Sequence, residues 1–368
     1  MKIINNKQNA IQELNRISAR TTSENNKKIN AIVEEILKEV KNHGDEAVKK
    51  YTKKFDGFTP DPMQVSTNDL RDAWNESEST LKSSLEVAYK RIKTFHEHEI
   101  PRSFTIEGEH GDVVQRRWKP VKNAGIYIPG GRAAYPSTVL MNAIPAKVAG
   151  VEEITMVSPG NKEGLINKTV LAAAYLCGVD KVFRIGGAQA IGALAFGTKQ
   201  IKKVDVISGP GNIYVTNAKK LIYGSTGIDS LAGPSEILII ADDTAKSSQI
   251  ASDLLAQAEH DPLASSILLT TSQAKAEEVF DELYRTIEDH PRKEICMQSI
   301  NNWGLIVICE NYESCIELSN QFAPEHLEII TYDPNEIIKG IENAGAIFLG
   351  KWTPEAVGDY LAGPNHTL

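Results

Sequence analysis

From Pro120 onward the chain repeats one pattern: a short β-branched run, a turn, then an Ala-rich stretch of helical length. Gly125–Ile128, Glu153–Val157, Lys181–Ile185 and Val204–Ile207 read as strands, separated by helices near Thr138–Ala149, Asn167–Leu176 and Asn212–Leu221. A strand that returns parallel after a helix needs a right-handed crossover, so this rhythm predicts a mostly parallel sheet with helices on its faces. A second series follows, with strands at Glu236–Ala241, Ser266–Thr270, Gly304–Cys309, Leu327–Thr331 and Ala346–Leu349. Helices at Lys246–Glu259, Ser272–Asp289, Tyr312–Gln321 and Pro334–Ala344 separate them. The join falls near Ser230–Ser235, and the two series share rhythm rather than residue identity.

Ahead of this lies a charged, helix-patterned region. Ile29, Ile32, Val33, Ile36, Leu37 and Val40 recur at spacings of three and four, and Leu81, Leu85, Ala88 and Ile92 continue the pattern until Pro101. A length of 368 residues suits two or three domains with buried cores. Forty basic against 48 acidic residues leave a net charge of −8, which argues against general affinity for nucleic acid or an anionic membrane. Met1–Asn9 is polar and lacks the apolar region of a secretory signal, and Ile237–Ala241 is far short of the roughly 20 residues that cross a bilayer. The four cysteines form no C-x-x-C pair. A cytoplasmic protein with neither nucleic-acid nor membrane partner is the expectation.

Three glycine-bearing turns follow strands of the first series: Pro129-Gly130-Gly131, Gly186-Gly187-Ala188-Gln189 and Gly209-Pro210-Gly211-Asn212. Each leads into a helix, whose free N–H groups can face the phosphates of a ligand at the carboxyl edge of a parallel sheet. The G-x-G-x-x-G dinucleotide pattern and the P-loop lysine are both missing, so the glycines alone fit tight turns equally well. Tyr127, Gln189 and Asn212 add an aromatic face and two amides to those turns. In the second series, Gln257 and His260 stand at i and i+3 near a helix end that Asp261-Pro262 closes. Glu325-His326 puts a carboxylate beside an imidazole directly before an apolar strand, a pairing suited to proton transfer near neutral pH. Asp359 and His366 add another carboxylate and imidazole, and two imidazoles, an amide oxygen and a carboxylate make a zinc-compatible set. Residue chemistry alone leaves open an NAD-linked dehydrogenase, a zinc hydrolase and a nucleotide-binding module without catalysis.

Together these segments resemble the histidinol dehydrogenase family over nearly the whole chain. The carriers are Tyr127-Ile128-Pro129-Gly130-Gly131, Gly186-Gly187-Ala188-Gln189-Ala190-Ile191, Gly209-Pro210-Gly211-Asn212, Ala232-Gly233-Pro234-Ser235-Glu236, Gln257-Ala258-Glu259-His260-Asp261, Pro324-Glu325-His326 and Asp359-Tyr360 through Asn365-His366. The resemblance implies a zinc-requiring, cytoplasmic homodimer that oxidises L-histidinol through L-histidinaldehyde to L-histidine with two NAD. It implies two incomplete Rossmann-like α/β domains with an N-terminal helical region. The expected division is an extension at 1–22, a larger domain from 23–120 and 236–368 carrying zinc and substrate, and an inserted NAD-binding domain at 121–235.

By the same resemblance the zinc ligands fall on Gln257, His260 and Asp359, and the acid–base pair on Glu325 and His326. NAD contacts fall on Tyr127, Gln189 and Asn212, and substrate contacts on Ser235, Gln257, His260, His326, Asp359 and His366. His326 then takes the hydroxyl proton and Glu325 activates the water that hydrates the aldehyde. Members of the family continue past this chain's last residue into a dimer-crossing tail that supplies a further histidine ligand and a substrate-contacting glutamate. Without them the expectation is a zinc site one protein ligand short, with weak or absent metal.

Overall fold

A computed structural model describes residues 1–21, 25–130, 135–231 and 233–365, and His366 lies outside the described residues. Packing divides the chain into two bodies: Met1–Ser23 with Gly233–Gly358, and Glu24–Ala232 with Asp359–Leu368.

The first body opens with β1 (Lys2–Ile4) and α1 (Lys7–Ser18), the latter capped by the Asn6 side chain. The chain then enters the second body through α2 (Asn25–His43), α3 (Asp45–Asp56), β2 (Gln64–Val65), α4 (Thr67–Asn75) and α5 (Ser79–Glu97). A hairpin of β3 (Phe104–Glu107) and β4 (Val113–Arg116) follows. The α/β series of this body is β5 (Asn123–Tyr127), α6 (Pro136–Ala149), β6 (Glu153–Val157), α7 (Lys168–Leu176), β7 (Lys181–Phe183), α8 (Gly187–Phe196), β8 (Val206–Ser208), α9 (Ile213–Ile222) and β9 (Gly227–Ile228). Back in the first body come β10 (Glu236–Ala241), α10 (Ser247–Ala258), β11 (Ser265–Thr270), α11 (Gln273–Glu288), α12 (Lys293–Trp303) and β12 (Leu305–Ile308). It ends with α13 (Tyr312–Phe322), β13 (His326–Ile330), α14 (Pro334–Ile338), β14 (Ala346–Leu349) and the single turn α15 (Glu355–Val357).

Both sheets use one strand order. In the first body it is β1-β12-β11-β10-β13-β14, with every pairing parallel. In the second it is β2-β7-β6-β5-β8-β9, parallel except for the antiparallel edge strand β2. In each series the first strand sits centrally, the next two lie to one side and the last two to the other, which is the 3-2-1-4-5 order of a doubly wound unit. The order reverses between β5 and β8 in one sheet and between β10 and β13 in the other. The central strand β10 is buried on both faces, which is why it reads as an unbroken Ile-Leu-Ile-Ile run.

The α/β fold class and the element rhythm agree with the sequence reading to within a residue or two at most ends. The division of the chain does not. Residues 25–97 cover both faces of the second body's sheet: Val33, Ile36, Leu37, Val48 and Tyr51 join one core with α8 and α9, while Leu70, Leu85 and Ile92 join the other with α6 and α7. That packing, together with β2 on β7, groups 23–120 with 121–232 rather than with 236–368. The first residues are likewise more than a helical extension, because β1 extends the first body's sheet along β12. The helix expected over Pro334–Ala344 stops at Ile338, since the Asn320 Oδ1 accepts the backbone N–H groups of Glu342 and Asn343 and holds that stretch as a turn.

Candidate active site

In the first body, the residues singled out by chemistry gather at the amino edge of the sheet, at its switch point. His326 begins β13 with Glu325 immediately before it, and Glu236 begins β10 beside them, with Ile237 in register with His326. The backbone of Glu236 serves both neighbours. Its N–H donates to Glu325 Oε2 at 3.1 Å, and its carbonyl accepts from His326 Nδ1 at 3.1 Å. A carbonyl only accepts, so this contact places a proton on Nδ1. The His326 ring is buried, 3.8 Å from Glu325 Oε2 and tilted against Phe348 at 6.1 Å. Gly358 lets that ring in, because a Cβ there would meet Phe348 Cε1 at 2.4 Å.

Arg20 holds Glu236 in place. Its side chain is 1% exposed, pairs with Glu236 Oε1 at 2.9 Å, and donates to the carbonyls of Leu263 at 2.8 Å, Ile17 at 2.8 Å and Pro234 at 3.2 Å. Burial raises the Glu236 carboxyl above its ordinary range, and the guanidinium opposes that rise. Ser235, half-buried, immediately precedes this strand.

Gln257 and His260 stand at the carboxyl end of α10. Because α10 runs antiparallel to the strands it connects, that end lies at the same amino edge. Gln257 is 1% exposed, and its Oε1 has no hydrogen-bond partner among the described residues. Leaving a buried amide oxygen unpaired costs about 1–3 kcal/mol, so it is an acceptor awaiting a ligand. His260 Nδ1 donates to the Ala256 carbonyl at 2.7 Å, which directs Nε2 outward as a lone-pair donor. An amide oxygen and an imidazole nitrogen fit zinc. Among the described residues no group of three His, Cys, Asp or Glu side chains stands close enough to hold a metal. Asp359 begins the second body's final stretch, in a π-helical turn over Gly358–Ala362, and its side chain is not described.

In the second body, the turns at Gly186-Gly187 and Gly209-Pro210-Gly211 lie at the carboxyl edge of the sheet, as expected, while Gly131 of the first turn lies outside the described residues. Tyr127 ends β5, and its buried hydroxyl accepts the Gly187 N–H at 3.2 Å. Burial pushes this phenol up to about 12, so it stays protonated. Gln189, in the first turn of α8, is 1% exposed with both Oε1 and Nε2 unpartnered among the described residues. A buried amide with both ends vacant suits a ligand that offers a donor and an acceptor. Gly209, at φ 115°, brings the β8 turn against β5, where a Cβ would lie 2.1 Å from the Tyr127 carbonyl oxygen. Asn212 caps α9: its Oδ1 accepts from Tyr214 N at 3.0 Å and Val215 N at 3.2 Å, which leaves its amide NH2 for a ligand.

Sequence reasoning missed the supports. Lys219, 3% exposed inside α9, pairs with Asp229 and donates to the Gly209 carbonyl at 3.1 Å, while Asp229 accepts the Gly209 N–H at 2.7 Å. Lys219 stands on the helix's buried face with Val215, Ala218 and Ile222, a signal visible in the sequence. Arg20 carried no such signal.

Two doubly wound sheets, one with ligand-ready turns and the other with a half-buried carboxylate beside a buried imidazole, fit the class of two-domain α/β dehydrogenases. A profile of the histidinol dehydrogenase family matches residues 19–368. Histidinol dehydrogenase of Prochlorococcus marinus strain MIT 9312 is 82% identical over 368 residues, covering 100% of this chain and 84% of that protein. The same enzyme of Prochlorococcus marinus subsp. pastoris is 82% identical, with 86% of its length covered. The crystal structure of histidinol dehydrogenase from Elizabethkingia anophelis superposes with a TM-score of 0.92 at 36% identity, over 100% of this chain and 84% of that one. The chain belongs to the histidinol dehydrogenase family. It is an NAD- and zinc-dependent oxidoreductase that oxidises L-histidinol via the aldehyde to L-histidine, in histidine biosynthesis. No helix among the described residues is long and apolar enough to cross a membrane.

Proposed function

We propose that His326 is the general base of both oxidations and that Glu325 activates water between them. What carries this reading is the shared backbone of Glu236, which fixes the tautomer of one residue and the orientation of the other. His326 Nε2 takes the proton of the substrate hydroxyl, and Glu325 takes a proton from the water that adds to the aldehyde carbon. When bound, NAD accepts the hydride and zinc supplies a fixed positive centre for the substrate's nitrogen donors. Gln257 and His260 hold the metal, with Asp359 the third donor that the family pattern implies. Ser235 and His326 face the substrate, and the family pattern adds His366. Tyr127, Gln189 and Asn212 hold the cofactor at the other sheet's carboxyl edge.

The chain works as a homodimer in the cytoplasm. Every residue of β3 and β4 is exposed, including Phe104, Ile106, Val113 and Val114, with Trp118 also exposed just after them. A two-stranded sheet of this kind is marginal by itself and gains from a partner surface. All four cysteines are free and buried, as suits a reducing compartment.

The test is Glu325→Gln assayed on the two half-reactions separately. Alcohol oxidation, followed with an aldehyde trap present, falls less than about tenfold, whereas net conversion to the acid falls about 10²-fold or more. Equal losses in both would sink the division of labour.

A further inference from the structure

One ion pair binds both backbone hydrogen-bonding groups of Gly209. Lys219 Nζ donates to the Gly209 carbonyl at 3.1 Å, Asp229 Oδ2 accepts the Gly209 N–H at 2.7 Å, and Lys219 and Asp229 pair with each other. The two side chains are only 4% and 15% exposed. Taking an ammonium and a carboxylate out of water is costly, and their attraction offsets that cost only where the geometry is good. Lys219 shares its helix face with Val215, Ala218 and Ile222, so an apolar side chain would fill the same core without the cost. What the ion pair adds is direction, because charge-assisted hydrogen bonds orient the groups they join.

The three residues belong to three different parts of the second body. Asp229 follows β9, which pairs with β8, and its own N–H donates to the Ile207 carbonyl at 3.2 Å, so the acid is set by the sheet. Lys219 is set by α9. Gly209 lies in the turn that joins β8 to α9 and presses against β5, where a Cβ would be 2.1 Å from the Tyr127 carbonyl oxygen. Three residues further on, Asn212 caps α9 through Oδ1 and keeps its amide NH2 for a ligand. The strand order reverses between β5 and β8, the place where an open α/β sheet accepts its ligand. Because the two charges of the pair cancel, its effect there is on placement rather than on the attraction of phosphates.

We propose that the Lys219–Asp229 ion pair clamps the Gly209 turn and so fixes how Asn212 stands to Tyr127, making both charged residues positioning residues for NAD. The inference rests on the assignment of that turn to the cofactor. It is tested on full-chain variants by three readouts: the Kd for NADH from its fluorescence on binding, the KM for histidinol, and the melting temperature. Lys219→Met keeps an unbranched side chain of similar length and removes the ammonium. It raises the NADH Kd about tenfold or more and leaves the histidinol KM within about twofold. It also lowers the melting temperature, because Asp229 keeps a charge without compensation. Adding Asp229→Asn removes that charge, while the new amide oxygen still accepts the Gly209 N–H. The double variant regains most of the melting temperature but not the affinity, since the Gly209 carbonyl is still unheld. Should Lys219→Met not fold, the double variant carries the test. A parental NADH Kd in the variants, an affinity that returns in step with the melting temperature, or an equal rise in the histidinol KM overturns the clamp. Asn212→Ala is measured alongside. Parental NADH affinity there overturns the assignment of the turn to the cofactor, whereas a loss there without a loss in the Lys219 variants overturns only the clamp.

Discussion

Arg20→Ala removes the support of the proposed acid–base pair without touching either member of it. The guanidinium is 1% exposed and satisfies the Glu236 carboxylate and three backbone carbonyls, while the Glu236 side chain remains 21% exposed. Removing one partner of a buried ion pair costs about 3–5 kcal/mol, because the other charge is left without compensation. Water reaching Glu236 recovers part of this, so the expected loss is about 3 kcal/mol, or roughly 6–12 °C in the melting temperature of a body this size. Urea and thermal unfolding followed by circular dichroism measure it directly.

The pH dependence identifies the cause. Burial has already raised the folded-state pKa of Glu236, so its contribution to stability falls as pH climbs from the unfolded value through the folded one. Without the guanidinium that folded value rises further and the decline extends to higher pH. The deficit of Arg20→Ala is therefore larger at pH 8 than at pH 5. Adding Glu236→Gln to Arg20→Ala, which removes the stranded charge, recovers about 1–2 kcal/mol and flattens the difference. The histidinol kcat/KM of the single variant drops about tenfold or more, because the peptide that orients Glu325 and His326 has lost its anchor. A deficit under about 0.5 kcal/mol that does not change with pH would refute the reasoning.

Gly209→Ala places a methyl group on the Tyr127 carbonyl at a backbone conformation that L-residues avoid, so β8 and β5 must separate. The NAD KM rises about tenfold or more while the histidinol KM is unchanged, as initial rates at varied NAD will show. Val114→Glu puts a charge in the middle of the exposed hairpin, where it leaves the monomer's fold intact, since every neighbour in β3 and β4 faces solvent. Analytical ultracentrifugation then shows a smaller species than the proposed dimer of the parent, and an unchanged sedimentation coefficient removes the hairpin from the interface.

The α/β rhythm was legible because β10 and its fellows are strands buried on both faces, which appear as short apolar runs between amphipathic or Ala-rich segments. The placement of residues 25–97 was not legible. Apolar spacing in α2 and α5 says that each helix has a face to bury but not which sheet receives it, and the answer depends on contacts far away in sequence. Glu325, His326, Gln257 and His260 could be picked out by type and spacing. Their supports differ in visibility. Lys219 lies on a buried helix face, so it is an anomaly in the sequence itself. Arg20 reads as an ordinary charged residue after a helix, and its role exists only because Ile17, Pro234 and Leu263 turn their carbonyls toward one point.

The two sheets share a strand order, yet the sites proposed on them use opposite edges, and the backbone groups at each edge differ. At the carboxyl edge of a parallel sheet, turns lead into helix N-termini, whose free N–H groups and positive dipole suit a diphosphate. At the amino edge the helices arrive by their carboxyl ends, where backbone carbonyls predominate and the dipole is negative. A carbonyl there can accept the Nδ1–H of an imidazole and fix its ring, as Glu236 does for His326 and Ala256 does for His260. On the proposed assignment, the amino edge of β10 and β13 therefore orients the imidazoles through backbone carbonyls, while the carboxyl edge of β5 and β8 offers N–H groups to the nucleotide.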